Sequence, residues 1–245
     1  GLAGIAAAVR LAHRGVRVTL LETRKRLGGR ATSHIDQRTG EKIDNCQHVL
    51  LGCCTNLVDL YRRMGVEDRI EWHRRLHFAD KGGQRDVLED DDLPAPLHTA
   101  GALWRFGCLS FAEKLAISRA MLAIIRLGRA GRDALDDRTF AHWLTEQRQP
   151  PGAVEKFWAV ITISALNETP DRASAAYALQ VFQEGFLAHR EAYVMGVAAV
   201  PLVELYDPAE TAIEAAGGEV RFGAAVRALR HDDRRITGVQ LASGE

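Results

Sequence analysis

Gly1, Gly4, Glu22 and the triplet Gly28-Gly29-Arg30 are the residues whose types and spacing could do chemistry in this chain. A pyrophosphate accepts hydrogen bonds from backbone amides only where no Cβ obstructs the approach, and a helix N-terminus adds partial positive charge there. Gly1-Leu2-Ala3-Gly4 reads as the second half of a G-x-G-x-x-G turn, followed by a helix and a strand that ends on Glu22. An acid at the end of that strand, about 20 positions on, is placed to accept from ribose hydroxyls. Gly4 would also let the helix pack close to its neighbouring strand. The competing reading of Gly1–Gly4 is a tight turn before a helix. The strand and first glycine expected before Gly1 are not in the sequence, so the spacing predicts a chain cut through its phosphate-binding turn.

These residues need elements to position them. Apolar spacing predicts a helix over 2–13 with Gly15 as its stop, then a buried strand over 17–22. Residues 30–34 and 41–44 flank a turn at Gln37-Arg38-Thr39-Gly40, a hairpin pattern. A helix over 56–64 ends at Gly65, and 70–80 with 84–89 suggest a second hairpin around Gly82-Gly83. Past Asp90-Asp91-Asp92, read as a solvated loop, helices dominate: 100–106, 111–127, 139–147, 151–165 and 172–187. An α/β pattern then returns, with a helix over 207–216 and strands over 219–230 and 236–241. The division expected is 1–52 and 201–245 as a nucleotide-binding domain, interrupted by a mainly helical domain over 53–200.

Composition excludes several classes. Lys+Arg and Asp+Glu both number 32, so no overall charge draws the 245 residues toward nucleic acid. Cys46, Cys53, Cys54 and Cys108 have neither metal-ligand spacing nor the density of a disulfide scaffold, so they read as thiols in a reducing, cytoplasmic compartment and no metal is expected. The adjacent Cys53-Cys54 pair reads as structural thiols, because neighbouring cysteines rarely reach disulfide geometry without strain. No apolar run reaches the roughly 20 residues that span a bilayer.

Gly28-Gly29-Arg30 goes beyond what a basic dinucleotide turn requires. It reads either as a second close backbone approach, with Arg24 or Arg30 compensating phosphate charge, or as a hairpin entry followed by a solvated arginine. Taken with Gly1–Gly4, the run E-x-R-x-x-x-G-G-R over 22–30 resembles the FAD-dependent amine oxidase and phytoene desaturase superfamily. The resemblance, not the spacing, implies FAD. It implies a glutathione-reductase-type Rossmann-like domain, of class α/β, carrying an inserted, largely helical α+β substrate domain. It implies cofactor contacts from Gly1, Leu2, Ala3, Gly4, Glu22, Thr23, Arg24, Gly28, Gly29, Arg30, Asn45, Gln47, His48 and Val226.

The wording of residues 43–52 and 164–174 is closest to the squalene-associated branch of hydroxysqualene dehydroxylases, and the similarity runs in order through Pro201-Leu202 and Gly217-Gly218-Glu219-Val220. That branch implies reductive removal of hydroxyl from hydroxysqualene to give squalene in hopanoid biosynthesis. A carotenoid-type desaturase, a flavin amine oxidase and a non-catalytic prenyl-binding protein are the alternatives. His48 is the candidate proton donor or substrate-orienting group, or else a structural histidine closing its turn. Asn167 is the candidate substrate contact, and Glu168 reads as a helix terminator. Phe111–Arg129 reads as a basic amphipathic helix, suited either to a core or to peripheral contact with the cytoplasmic face of a membrane that delivers a lipophilic isoprenoid. With both ends of the parent expected to be missing, the residues as given are expected to hold FAD poorly and to be inactive.

Overall fold

The structure, a computed structural model, describes residues 1–79 and 82–245. Helix α1 (Leu2–Ala12) buries Ile5, Ala8, Val9 and Ala12. Gly15, at φ +76°, turns the chain out of it toward β1 (Thr19–Glu22). β1 is shorter and less buried than the sequence predicts, because among the described residues it pairs only with β9 and keeps one edge open. Strands β2 (Ser33–Ile35) and β3 (Lys42–Asp44) form the expected hairpin, with His34 opposite Ile43. Its turn is held by Asp36, whose carboxylate accepts from the Arg38 N–H at 2.9 Å while its carbonyl accepts from Gly40. β4 (Val49–Leu51) and α2 (Thr55–Arg63) follow, and α2 ends before Gly65 at φ +69°.

The second hairpin differs from its prediction. β5 (Ile70–His73) joins a three-stranded sheet of order β4-β8-β5, and only β6 (Leu76–Ala79) and β7 (Arg85–Leu88) pair as a hairpin. Asp80, placed in this hairpin from sequence, lies outside the described residues. The helices α3 (Ala100–Arg105), α4 (Phe111–Asp133) and α5 (Phe140–Glu146) come next. α6 (Pro151–Ala153) continues through a π-helical turn, Val154–Trp158, into α7 (Ala159–Leu166). α8 (Ala175–Phe182) starts three residues later than predicted and runs into a second π-helical turn, Gln183–Leu187. β8 (Met195–Ala198), α9 (Val203–Tyr206), α10 (Pro208–Ala215) and β9 (Glu219–Phe222) follow. The single strand predicted over 219–230 is two: Gly223, at φ +68°, breaks it, and β10 (Val226–His231) pairs with β11 (Ile236–Leu241) instead.

The chain forms two compact units: 1–50, 55–71 and 196–245 make the first, and 51–54 and 72–195 the second. The boundary expected at 52/53 therefore does not separate them, since α2 returns to the first unit through Leu60 and Tyr61 in its core. That core gathers Ile5 and Val9 of α1, Leu27, Leu50, Leu205, Tyr206 and Ala209. β1 and β9 run parallel, Thr19 opposite Glu219 and Glu22 opposite Phe222.

The second unit is mainly helical around an aromatic core of Phe140, Phe157, Trp158 and Phe182. α4 starts on a capping box: the Ser110 hydroxyl accepts from the Glu113 N–H, and the Glu113 carboxylate accepts from the Ser110 N–H at 2.7 Å. It runs past the predicted end at 127 through a kink at Gly128, where φ is +63°. Gln183 Nε2 donates to the carbonyls of Ile124 and Gly128 at 3.0 and 3.2 Å, satisfying acceptors that the kink releases. Ile117, Ala120 and Ile124 face the core, while Phe111, Leu115, Leu122 and Ile125 are exposed. Met121 and Leu127 pack partly buried against the core. Among the described residues no helix is long and apolar enough to cross a membrane.

In the acidic loop after β7, read from sequence as solvated, Asp92 is exposed as expected but Asp90 is not. Asp90 keeps only 6% of its side chain exposed and accepts from Tyr193 Oη at 2.8 Å and Arg190 Nε at 2.8 Å, with Arg74 Nη1 at 3.4 Å. Burial opposes its charge, but these donors and cations outweigh burial and hold its carboxyl below the usual range. Nearby His98 is buried without exposure, its ring 6.1 Å from that of Tyr193, and burial pushes its pKa down. Both folded values lie below their unfolded ones, so the contributions are full at neutral pH. The His98 contribution fades as pH falls below about 6.5, and the Asp90 contribution below about 4. Asp90→Asn is expected to cost about 2 kcal/mol at pH 7 and to reduce the acid sensitivity of unfolding. Urea unfolding followed by tryptophan fluorescence measures this selectively, because Trp72, Trp104, Trp143 and Trp158 all lie in the second unit.

Candidate functional site

In the first unit the chemistry-bearing residues of the sequence come together at one end of β1. The hydrogen-bond ladder of α1 opens with Ile5 N–H to the Gly1 carbonyl at 3.1 Å. The amides of Leu2, Ala3 and Gly4 therefore belong to the first turn, which no side chain among the described residues caps and which holds no acid. Glu22 ends β1 with 12% of its side chain exposed, its Oε2 3.7 Å from the Gly1 nitrogen. Its other oxygen accepts from the Arg24 N–H at 2.8 Å, which fixes the carboxylate beside the helix start.

The segment from Arg24 to Arg30 folds back onto the same helix end. Arg24 Nη1 donates to the Gly29 carbonyl at 3.2 Å. Gly28 and Gly29 hold φ of +101° and +66°, the left-handed region glycine occupies freely. A Cβ on Gly29 would stand 2.8 Å from Gly1 Cα, and one on Gly28 2.3 Å from the Ala31 carbonyl oxygen. Both positions thus require glycine, and the Gly29 backbone passes directly against the turn that opens α1. Gly4 is different. A Cβ there would meet Leu20 Cδ1 at 3.7 Å, an ordinary contact, so helix–strand packing alone does not demand glycine as the sequence reading supposed. Arg26 was missed from sequence: its Nε is buried with no partner among the described residues, and nothing in its spacing sets it apart from Lys25.

The remaining predicted residues separate into two groups. The Ala224 N–H donates to the Glu22 carbonyl at 3.0 Å, so Val226, two residues on, begins β10 close to the end of β1. Thr23 and Arg30 are exposed beside the 24–29 fold. Asn45 is committed to the chain leading into β2, its N–H on the Thr32 carbonyl and its amide nitrogen donating to the Arg30 carbonyl at 3.1 Å. Gln47 is exposed. His48 Nδ1 lies 2.7 Å from the Cys46 carbonyl. A carbonyl only accepts, so Nδ1 carries a proton and donates it here, which leaves Nε2 as the nitrogen turned away from this bond. Asn167 belongs to the second unit, where it ends α7 at φ +53° with its N–H on the Ile163 carbonyl, and Glu168 pairs with Arg172 at 3.2 Å.

Asp44 was also missed as a positioning residue. It accepts from Ser33 Oγ at 2.7 Å and from the Leu202 N–H at 3.0 Å, while Ser33 Oγ accepts from the Val203 N–H. The hairpin is thereby tied to the start of α9. In the second unit, the Cys53 and Cys54 thiols hydrogen-bond to each other, which pulls Cys54 down to about 6 and pushes Cys53 up.

An uncapped helix start, an anchored acid and a glycine pair that admits no Cβ fit a pyrophosphate-bearing dinucleotide. The sequence profile of the flavin containing amine oxidoreductases matches residues 2–245. The chain belongs to this family. FAD is accordingly its cofactor. The 15-cis-phytoene desaturase of Synechococcus elongatus is 24% identical over 248 residues, covering 99% of this chain and 52% of the relative. The zeta-carotene desaturase of Synechocystis is 28% identical over 260 residues, covering 100% and 53%. The chain thus spans about half the length of the curated relatives it matches. An oxidoreductase of Methanosarcina mazei shares the fold at a TM-score of 0.66 and 18% identity, over 99% of this chain and 54% of that one. Membership in the amine oxidoreductase and desaturase family agrees with the resemblance read from residues 22–30. The squalene-associated branch is not what these relatives favour; the carotenoid alternative fits them better.

Proposed function

We propose that the parent protein is an FAD-dependent desaturase of a long isoprenoid hydrocarbon of the phytoene or zeta-carotene type. The observation that supports this most is the match of the whole chain to desaturases of those two substrates. In this reading the amides of Leu2, Ala3 and Gly4 and the backbone at Gly29 hold the pyrophosphate. Glu22 would accept from the adenosine ribose, Arg24 would keep the glycine turn closed, and the strand start at Val226 would contact the adenine. Bound FAD supplies the two-electron acceptor for a hydride leaving an allylic carbon. His48, with Nδ1–H held by the Cys46 carbonyl, offers Nε2 to take the accompanying proton. The mainly helical second unit is proposed as the substrate domain, with Asn167 as a contact. The exposed Phe111, Leu115, Leu122 and Ile125, interspersed with Lys114, Arg119 and Arg126, are proposed to rest on the cytoplasmic face of a membrane that holds the substrate.

A second reading, reductive dehydroxylation of hydroxysqualene, is favoured by the wording of residues 43–52 and 164–174. The FAD-loaded full-length parent decides between them. Given phytoene and a quinone acceptor, it is expected to form a product with an added double bond. Squalene formed from hydroxysqualene and a reductant, with phytoene left unchanged, would establish the second reading instead.

A further inference from the structure

In the second unit, Arg119, Arg126 and Arg148 line one open cavity of about 310 Å³, together with Leu122, Ala123, Glu146 and Gln147. Arg119 and Arg126 are seven positions apart on α4, which is two turns and nearly the same angular position. Arg148 enters from just beyond the end of α5. Among the described residues none of the three guanidinium groups has a hydrogen-bonding or ionic partner. The one carboxylate in the wall is already engaged, since Glu146 accepts from Arg138 at 3.0 Å and lies 3.1 Å from His142 Nε2. The cavity therefore concentrates uncompensated positive charge on a chain with no net charge.

The backbone adds an independent observation. Arg148 holds φ +52°, one of two non-glycine residues with positive φ among the described residues. Glycine takes that conformation freely at a helix end, whereas arginine adopts it against steric resistance. The turn itself gives no reason for an arginine: the Arg148 N–H reaches the Thr145 carbonyl at 2.9 Å and the Gln149 N–H the Leu144 carbonyl at 3.0 Å, and any residue supplies these bonds. What arginine adds is a planar fork of donors carried into the cavity, matched to the oxygens of an anion.

We propose that this cavity is a binding site for a phosphate group that bears a double negative charge. Three guanidinium groups then meet the oxyanions, and their mutual repulsion is relieved on binding. The same phosphate chemistry comes either free in solution or as the headgroup of an anionic lipid. The test uses the FAD-loaded full-length protein, in which the cofactor fills the pyrophosphate site of the first unit. One arm titrates inorganic pyrophosphate by calorimetry; the other floats the protein with phosphatidylcholine vesicles with and without phosphatidic acid. Replacing Arg119, Arg126 and Arg148 together by glutamine is expected to weaken binding about a hundredfold in the arm that binds, with added salt weakening the wild type. Arg148→Gly is expected to lose affinity while raising the unfolding temperature, since glycine relieves the positive φ. That divergence separates a ligand role from a structural one. Binding in the pyrophosphate arm identifies a soluble phosphate, and binding to phosphatidic acid vesicles alone identifies a lipid headgroup. No binding in either arm, or binding unchanged in the triple variant, overturns the proposal.

Discussion

Gly29→Ala is expected to lower the flavin affinity of the full-length protein by about a hundredfold, equivalent to about 3 kcal/mol. The new Cβ would stand 2.8 Å from Gly1 Cα, and this is backbone against backbone, with no flexible side chain to yield. The left-handed backbone at φ +66° resists alanine as well, by about 1–2 kcal/mol. The chain can relieve both only by moving the 24–29 fold off the start of α1, which separates Gly29 and Arg24 from the amides of Leu2 to Gly4. Gly65→Ala is the matched control. It shares a positive φ of 69°, but nothing lies within 4 Å of its Cβ position. It is expected to cost about 1 kcal/mol of stability and to leave flavin binding unchanged. Fluorescence titration of both apoproteins with FAD checks the contrast.

Phe182→Ala is expected to cost the second unit about 4 kcal/mol, a large share of the roughly 5–15 kcal/mol that a domain commands. The side chain has no exposure, and its ring centre lies 4.8 Å from Trp158, 5.9 Å from Phe140, 6.2 Å from Phe157 and 6.1 Å from Phe186. Removing it opens a hole beside Trp158, which is already packed edge-on against Phe140 and Phe157 and so collapses poorly into the space. Phe182→Leu, which refills most of the volume, is expected to cost about half as much. Tryptophan fluorescence in urea reads both, since Trp158 is one of the reporters.

Local chemistry made much of the first unit legible in the sequence. The periodicity of Ile5, Val9 and Ala12, the stop at Gly15, the turn closing at Gly40 and the helix end at Gly65 each depend on neighbours in the chain. Non-local pairing was not legible. Ile70–His73 looks like half of a hairpin until β8, more than a hundred residues later, takes it into another sheet. Gly223 is a local signal for the break in 219–230, but the apolar pattern continues through it and reads as one strand. Asp90 looked solvated because its partners, Arg190 and Tyr193, lie a hundred residues away. Gly1, Gly4 and Glu22 read as a dinucleotide turn from spacing alone, whereas Gly28-Gly29-Arg30 kept two readings and the choice of FAD needed the family. Arg148 was not legible at all, because only the fold brings it beside Arg119 and Arg126.

The most direct test of the account is a single turnover without oxygen, mixing the FAD-loaded full-length protein with phytoene dispersed in detergent. The visible absorbance of oxidised flavin is expected to be lost as one added double bond appears in the hydrocarbon, in equal amounts. Flavin that stays oxidised while phytoene is recovered unchanged would contradict it.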